Sequence, residues 1–368
     1  MRPTGPIPAG IAIVGEAPGA EEERVGAPFV GASGRLLDRL LMNVGLARSN
    51  CFVTNVCRVR PPGNDISLWI SDNKRQPHPD WQLRDGLWHH PHIAAGLVEL
   101  ERELAAVQPK VIIALGGIAL WALTGRTGIG KWRGSRIALD RWTVVPALPP
   151  DAILYQLEWY AILQMDLARA KAIYEGTQKP RSYSFLLAPS YPEALDVLRR
   201  LQHHRGPLSV DIETRAGAIA CIGFAWSETH AVCIPILQAK SQPFFWPLDQ
   251  ETNLRWLMHR LFFRPEIEFI GQNFLYDCQY FSREGMGYPR RVFDTMIGHH
   301  ALFSLLRKGL DFLSSMYAQD HIYWKDESKN WDPALGERQL WEYNCKDACI
   351  TYEVAAGIRA QLRKEVAR

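Results

Sequence analysis

Leu208-Ser209-Val210-Asp211-Ile212-Glu213-Thr214 is the stretch on which the reading of this chain turns. A short apolar, β-branched run predicts a buried strand. Residues two apart on a strand point to one face, so Asp211 and Glu213 are expected side by side at the strand's end. Like charges that close are unfavourable out of water unless cations neutralise them. Hard divalent ions such as Mg²⁺ or Mn²⁺ prefer oxygen ligands of this kind. Alone, the pair also fits a solvated strand end with two chance acids, and the acids nearer the C-terminus decide between them.

Downstream, Gly271-Gln272-Asn273-Phe274-Leu275-Tyr276-Asp277 opens an expected helix on which Asn273 and Asp277, at i and i+4, share a face. Glu342-Tyr343-Asn344-Cys345-Lys346-Asp347 puts Tyr343 and Asp347 at the same spacing. Asp211, Glu213, Asp277 and Asp347 thus fall in three short motifs in a fixed order. The pattern resembles the Tyr-containing branch of the DEDD exonuclease superfamily, and above all the 3′→5′ proofreading domain of family A DNA polymerases. It spans roughly residues 183–368 and takes in Val292-Phe293-Asp294-Thr295-Met296 and residues 308–313, while Tyr323-Trp324-Lys325-Asp326-Glu327 looks like phage-type members.

That resemblance implies an RNase H-like fold and phosphodiester hydrolysis assisted by two metals about 3.5–4 Å apart. It makes Asp211, Glu213, Asp277 and Asp347 the holders of two divalent cations, Mg²⁺ or Mn²⁺. Tyr343 would orient the attacking water, and Thr214, Gln272 and Asn273 would touch the DNA. Asp294 reads as a helix cap or a group behind the ligands. His299 and His300, adjacent and so diverging on a helix, read as packing or DNA-facing residues.

The first half alternates strand and helix. Residues 11–19 are expected as a strand breaking into a Gly/Pro loop, and further strands at 51–59, 110–115 and 141–145, with helices at about 33–45, 93–107, 117–123 and up to 175, and an irregular stretch at 65–90. This order argues for an α/β domain with a largely parallel sheet. The polar segment Gly176-Thr177-Gln178-Lys179-Pro180-Arg181-Ser182 is the expected linker, dividing residues 1–175 from 183–368.

Gly15-Glu16-Ala17-Pro18-Gly19, then Gly26-x-Pro28-Phe29-Val30-Gly31-x-Ser33-Gly34, Thr54-Asn55-Val56 and Arg60-Pro61-Pro62-Gly63-Asn64 closely resemble the family 4 uracil-DNA glycosylases over about residues 10–155. The resemblance implies an α/β/α sandwich with a central parallel sheet and a pocket for a uracil flipped from DNA. In it Glu16 would assist the water, Phe29 would stack on the base and Asn55 would read it. Pro149 stands where the family has the His of a His-Pro-Ser segment, and proline offers no side-chain donor or acceptor. Losing one such stabiliser typically costs on the order of 10²–10³ in rate. No set of cysteines matches an iron–sulfur cluster, so none is expected. The pocket therefore reads as vestigial. Gly125-x-x-x-x-Gly130-Lys131 mimics a phosphate-binding loop, but Trp132 stands where Ser or Thr is needed.

Composition sets outer bounds. The 368 residues are 47% hydrophobic and 22% charged, ordinary for a soluble globular protein with room for two cores. A net charge of +3 confines any nucleic-acid surface to local patches. No apolar run reaches the about 18 residues a membrane span needs. Seven cysteines without a C-x-x-C pair point to a reducing cytoplasm, of a bacterium or of a phage-infected host.

The expected function is a 3′→5′ DNA exonuclease acting on single-stranded 3′ ends in replication, fused to a glycosylase-like DNA-binding domain that does not excise. Its family A polymerase partner is expected as a separate chain or as a region beyond this one. Two other readings stand beside it: a bifunctional enzyme that also removes uracil, and a first half that docks a polymerase or clamp.

Overall fold

The computed structural model describes residues 1–238, 244–327 and 336–366. It divides into two compact units, Met1–Pro180 with Asp320–Tyr323, and Arg181–Gln319 with Trp324–Arg368.

In chain order the first unit's strands are β1 (Ile11–Gly15), β2 (Cys51–Asn55), the short β3 (Ile70–Ser71), β4 (Gln82–Arg84) and β5 (Leu87–His89), then β6 (Val111–Leu115), β7 (Ile137–Ala138) and β8 (Thr143–Ala147). The main sheet runs β2-β1-β6-β8-β7, parallel except for the antiparallel edge strand β7. A parallel sheet covered on both faces reads as continuous apolar strands, as β1 and β6 do. Ala12, Val14, Ile112 and Ala114 face a core shared with the helices Pro91–Val107 and Gly117–Thr124. Ile11, Ile13, Val111 and Ile113 face the opposite core, against the helices Ala32–Asn43 and Trp159–Tyr174. This is the α/β/α arrangement expected.

Two local expectations change. The second strand ends at Asn55, because the next two N–H groups, of Val56 and Cys57, bond to the carbonyls of Gly15 and Glu16 rather than extending a ladder. Residues 65–90 are not wholly irregular: β5 pairs with both β3 and β4 in a small antiparallel sheet.

The second unit carries β9 (Ser184–Leu187), β10 (Leu208–Arg215), β11 (Ala218–Ala225), β12 (His230–Pro235), β13 (Phe269–Gly271) and β14 (Val292–Asp294) in one sheet, ordered β14-β13-β10-β11-β12-β9. β10, β11 and β12 are antiparallel neighbours, and the outer strands join in parallel. Val210 and Ile212 enter a core with the helices Tyr191–Gln202 and Leu248–Phe262. Asp211 and Glu213, one step out of phase, therefore point to the other face, where the long helix Arg338–Val366 packs.

Within the first unit, Arg133 and Asp166 form a buried bidentate pair, with Nε to Oδ2 at 2.9 Å and side chains 3% and 0% exposed. Burial raises the Asp166 pKa, and Arg133 opposes that rise. Breaking such a pair from one side leaves an uncompensated buried charge. Arg133→Met is expected to destabilise the unit by about 3 kcal/mol or more, read as a lower urea midpoint, and Arg133→Met/Asp166→Leu to recover part of the loss. A wild-type midpoint for the single variant would show that the pair contributes nothing.

Candidate metal centre and base pocket

Asp211 sits opposite Gly223 on β11. A Cβ at Gly223 would lie 2.6 Å from the Asn344 amide oxygen, so glycine lets the helix Arg338–Val366 press against the strand. Asn344 uses that approach to donate from Nδ2 to Asp211 Oδ2 at 2.8 Å and to the Asp211 carbonyl at 3.0 Å. Asp347, on the same helix and nearly buried, brings its carboxylate to the same place. Asp211, Glu213 and Asp347 each place a carboxylate oxygen within 4.8 Å of the others. The ladder shifts register between Glu213 and Thr214, and such a bulge terminates regular pairing beside the acids.

Asp277 enters from the helix Leu275–Arg283. β13 pairs with β10 only at Leu208 and Ser209, and Asp277 Oδ1 takes the Ile212 N–H at 3.2 Å. It stands outside the three-acid group yet close enough for its charge to raise the pKa of Asp211 and Glu213.

Electrostatically the cluster is strained. Burial first, then the charges of Asp347, Glu213 and Asp277, raise Asp211 well above the usual carboxylate range. Burial and Asp347 push Glu213 up to about 8, and burial pushes Asp277 up to about 7. Tyr343 is raised as well, so its phenol stays protonated at neutral pH. A dense, desolvated set of carboxylate oxygens fits a hard divalent cation.

The positions expected to meet DNA fare differently. Thr214 Oγ1 hydrogen-bonds the Tyr276 hydroxyl at 3.1 Å. Gln272 donates from Nε2 to the Lys308 carbonyl at 2.7 Å and accepts from the Thr295 hydroxyl. Asn273 does not share the helix with Asp277: its φ is +53°, and the helix starts two residues later, at Leu275. Its N–H and that of Phe274 are instead held by Asp294 at 3.1 and 2.8 Å. Asp294 also caps the helix Thr295–Leu302 through the Met296 N–H. His299 is buried and its Nδ1 meets the Tyr317 hydroxyl at 2.8 Å, a packing role.

Three residues given no role in the sequence reading belong to the site. Asn344 is one. Trp324 Nε1 donates to Asp347 Oδ1 at 2.5 Å, and the Lys325 ammonium pairs with Asp347 Oδ2. In the sequence the run at 323–327 stands out only as a resemblance.

In the first unit a cavity of about 530 Å³ is lined by Glu16, Phe29, Asn55, Pro149, Asp151 and Tyr155, among others. Phe29 adopts a left-handed φ of +52°, held by Arg48, whose guanidinium donates to the carbonyls of Phe29 (2.8 Å) and Pro28 (2.6 Å). Glu22 Oε1 accepts the N–H groups of Val30 and Gly31 at 3.0 and 2.8 Å. A Cβ at Gly15 would lie 2.4 Å from both Phe29 and Asn55, so only glycine lets ring and amide converge. Asn55 is 2% exposed and its Oδ1 has no hydrogen-bond partner, an acceptor awaiting a donor. Glu16 accepts the Ile118 N–H at 2.9 Å at the start of the helix Gly117–Thr124; burial raises its pKa and Asp151 adds to the rise.

A uracil DNA glycosylase superfamily model matches residues 2–167. A type-4 uracil-DNA glycosylase of Archaeoglobus fulgidus is 30% identical over 187 residues, covering 48% of this chain and 83% of that protein. The chain belongs to the type-4 uracil-DNA glycosylase family. That membership rests on its first half. The second half is a 3′→5′ exonuclease domain of the family A polymerase kind, the corresponding model matching residues 190–366. A DNA polymerase of Bacillus phage SP01 is 23% identical over 261 residues, covering 69% of this chain, while the chain spans only a quarter of that polymerase. Among solved structures, the catalytic core of RRP6 from Trypanosoma brucei aligns with a TM-score of 0.39 at 14% identity, over 50% of this chain and 48% of that one. Such an exonuclease domain uses divalent metal, and both halves imply a nucleic-acid substrate. Among the described residues no helix is long and apolar enough to cross a membrane.

The raised acids set a pH dependence. Between about pH 4.5 and 8 the unfolded chain has released protons that folded Glu213 and Asp277 still hold, so metal-free stability falls as pH rises. In EDTA, the exonuclease unit's melting temperature is expected to drop between pH 5 and 8.5. Glu213→Gln should flatten that slope, and Mn²⁺ should oppose the drop because binding requires deprotonated ligands. A pH-independent melt in EDTA would contradict the electrostatic picture.

Proposed function

We propose that the chain is a two-metal 3′→5′ DNA exonuclease of the proofreading type, acting with a polymerase in DNA replication, and that its glycosylase unit binds DNA without excising uracil efficiently. The observation that carries the nuclease reading is the convergence of Asp211, Glu213 and Asp347 within 4.8 Å on a strand and a helix both inside the exonuclease match.

In this reading Asp211, Glu213 and Asp347 would hold Mg²⁺ or Mn²⁺ with Asp277 completing the acid set, and the cations would supply water activation and charge neutralisation at the scissile phosphodiester. Asn344 fixes the rotamer of Asp211 through its contact with Oδ2. Tyr343, one helical turn before Asp347, keeps its phenol protonated and so orients the attacking water without repelling the phosphate. Asp294 pins the Asn273–Phe274 backbone, which places the Asn273 side chain for the terminal nucleotide. The choice of DNA is supported by the relatives of both halves, uracil-DNA glycosylases and a phage DNA polymerase. Association with a polymerase is supported by the length of the phage match, which exceeds either half alone.

The pocket supports base binding. Phe29 offers a face, Asn55 Oδ1 an unmet acceptor, and Tyr155 and Leu154, 88% and 55% exposed at the cavity, are side chains that can fill the gap left by an extruded base. It does not support release of an anionic base. Pro149 supplies no donor, and the acids Glu16 and Asp151 that line the same cavity already disfavour a further negative charge, Asp151 raising the Glu16 pKa.

Asp211→Ala is expected to cut Mn²⁺-dependent release of mononucleotides from single-stranded 3′ ends by about 10³ or more, with unchanged circular dichroism. Full activity would refute the metal assignment. On a uracil-containing duplex subsequently treated with alkali, strand breaks should be fewer than for an active type-4 enzyme by about 10²–10³. Comparable cleavage would instead establish the bifunctional repair enzyme.

A further inference from the structure

Both oxygens of Asp347 are occupied by two consecutive residues of one segment. Trp324 Nε1 donates to Oδ1 at 2.5 Å and the Lys325 ammonium pairs with Oδ2. Lys325 has its side chain 27% exposed, lies 5.0 Å from the Tyr343 ring centroid and 5.4 Å from that of Trp324, and is near enough to lower the pKa of both Asp211 and Glu213. Lys346 approaches the same Trp324 ring at 6.0 Å and pairs with Glu327 at 3.0 Å, which keeps this short segment against the helix. A lysine driven into contact with expected metal ligands is not explained by surface ion pairing, because desolvation opposes its charge.

We propose that Lys325 is a positioning residue of the exonuclease site, a built-in cation that holds Asp347 in place and neutralises the acid cluster between metal loadings, and in doing so weakens the grip on divalent metal. The proposal rests on the exonuclease reading above. A fixed ammonium beside the ligands makes the three-acid cluster tolerable without metal, so the site stays assembled while metal and product exchange. The same charge repels an incoming cation. Loading therefore demands either that Lys325 swing aside or that it share Asp347, and in both cases binding is looser than the carboxylates alone would give. Trp324 keeps Oδ1 oriented throughout, so loss of the ammonium contact frees only Oδ2.

The test uses the full chain with Mn²⁺ alone as probe. Lys325→Met keeps the aliphatic stem and removes the charge. In EDTA at pH 8 its exonuclease unit should melt at a lower temperature than wild type. By calorimetric titration the Mn²⁺ dissociation constant should tighten by about tenfold or more, the scale expected from removing one neighbouring like charge. Lys325→Arg, which retains charge, should restore both the metal-free melting temperature and the weaker Mn²⁺ binding. If Lys325→Met cannot be kept folded in EDTA, the stability half of the proposal is met, and Lys325→Gln prepared in Mn²⁺ supplies the affinity comparison. A Mn²⁺ affinity in the Met or Gln variant equal to or weaker than wild type overturns the proposal while leaving the exonuclease site standing. Absence of Mn²⁺ binding to wild type, together with full activity of Asp211→Ala, overturns the exonuclease reading and the proposal with it.

Discussion

Putting carboxylates side by side away from bulk water is the constraint on which the second unit is built. Two unit charges about 4 Å apart interact by roughly 4 kcal/mol at the effective dielectric of a protein surface, repulsive here for every acid pair. The chain answers with four partners from three elements. Asn344 donates to Asp211, the Ile212 N–H to Asp277, and Trp324 and Lys325 to Asp347. Each depends on a structural allowance made elsewhere. Gly223 admits the long helix, the short reach of β13 frees the Ile212 edge, and the bulge after Glu213 ends the regular ladder beside the acids. Once the acids release their protons, one ammonium among four carboxylates leaves an excess of negative charge, which is the condition for binding a hard cation.

The base pocket of the first unit separates shape from chemistry. Its shape comes from backbone proximity: Gly15 beneath Phe29 and Asn55, and Gly34, whose Cβ would meet the Phe29 carbonyl at 2.0 Å. Neither contact involves the groups that would assist bond breaking. A pocket held this way keeps its form when a single side chain at its rim changes. Pro149, the residue before the helix Pro150–Tyr155, takes φ −69° and ψ 141°, a conformation proline favours, so a proline fits this rim position without backbone strain.

Much of this was legible because it is local. Alternation placed Asp211 and Glu213 on one face of β10, and the four-residue spacing placed Tyr343 and Asp347 on one face of a helix. Runs of buried apolar residues marked β1 and β6. The unread features are those in which partners lie far apart or elements are too short to carry a period. β13 and β14 have three residues each, less than two periods of alternation. The helix expected through Asn273 fails because Asp294, about twenty residues on, holds that backbone in a left-handed turn. Lys325 stands in the sequence only as part of the run at 323–327, and its pairing with Asp347 spans 22 residues that no local period links.

The two halves of the chain also differ in what maintains them. Glu16 has its pKa raised by burial and one oxygen bound to the Ile118 N–H, so this lone buried acid is held by the backbone. Glu213 and Asp277, displaced to about 8 and 7, sit near the midpoint of titration in neutral solution, where proton release and cation uptake become one linked event. A cation held there would stabilise the folded second unit by an amount that grows with the logarithm of its free concentration above the dissociation constant. Chelation is therefore expected to act on the second unit, which among the described residues holds the one group of three or more acids close enough to share a cation.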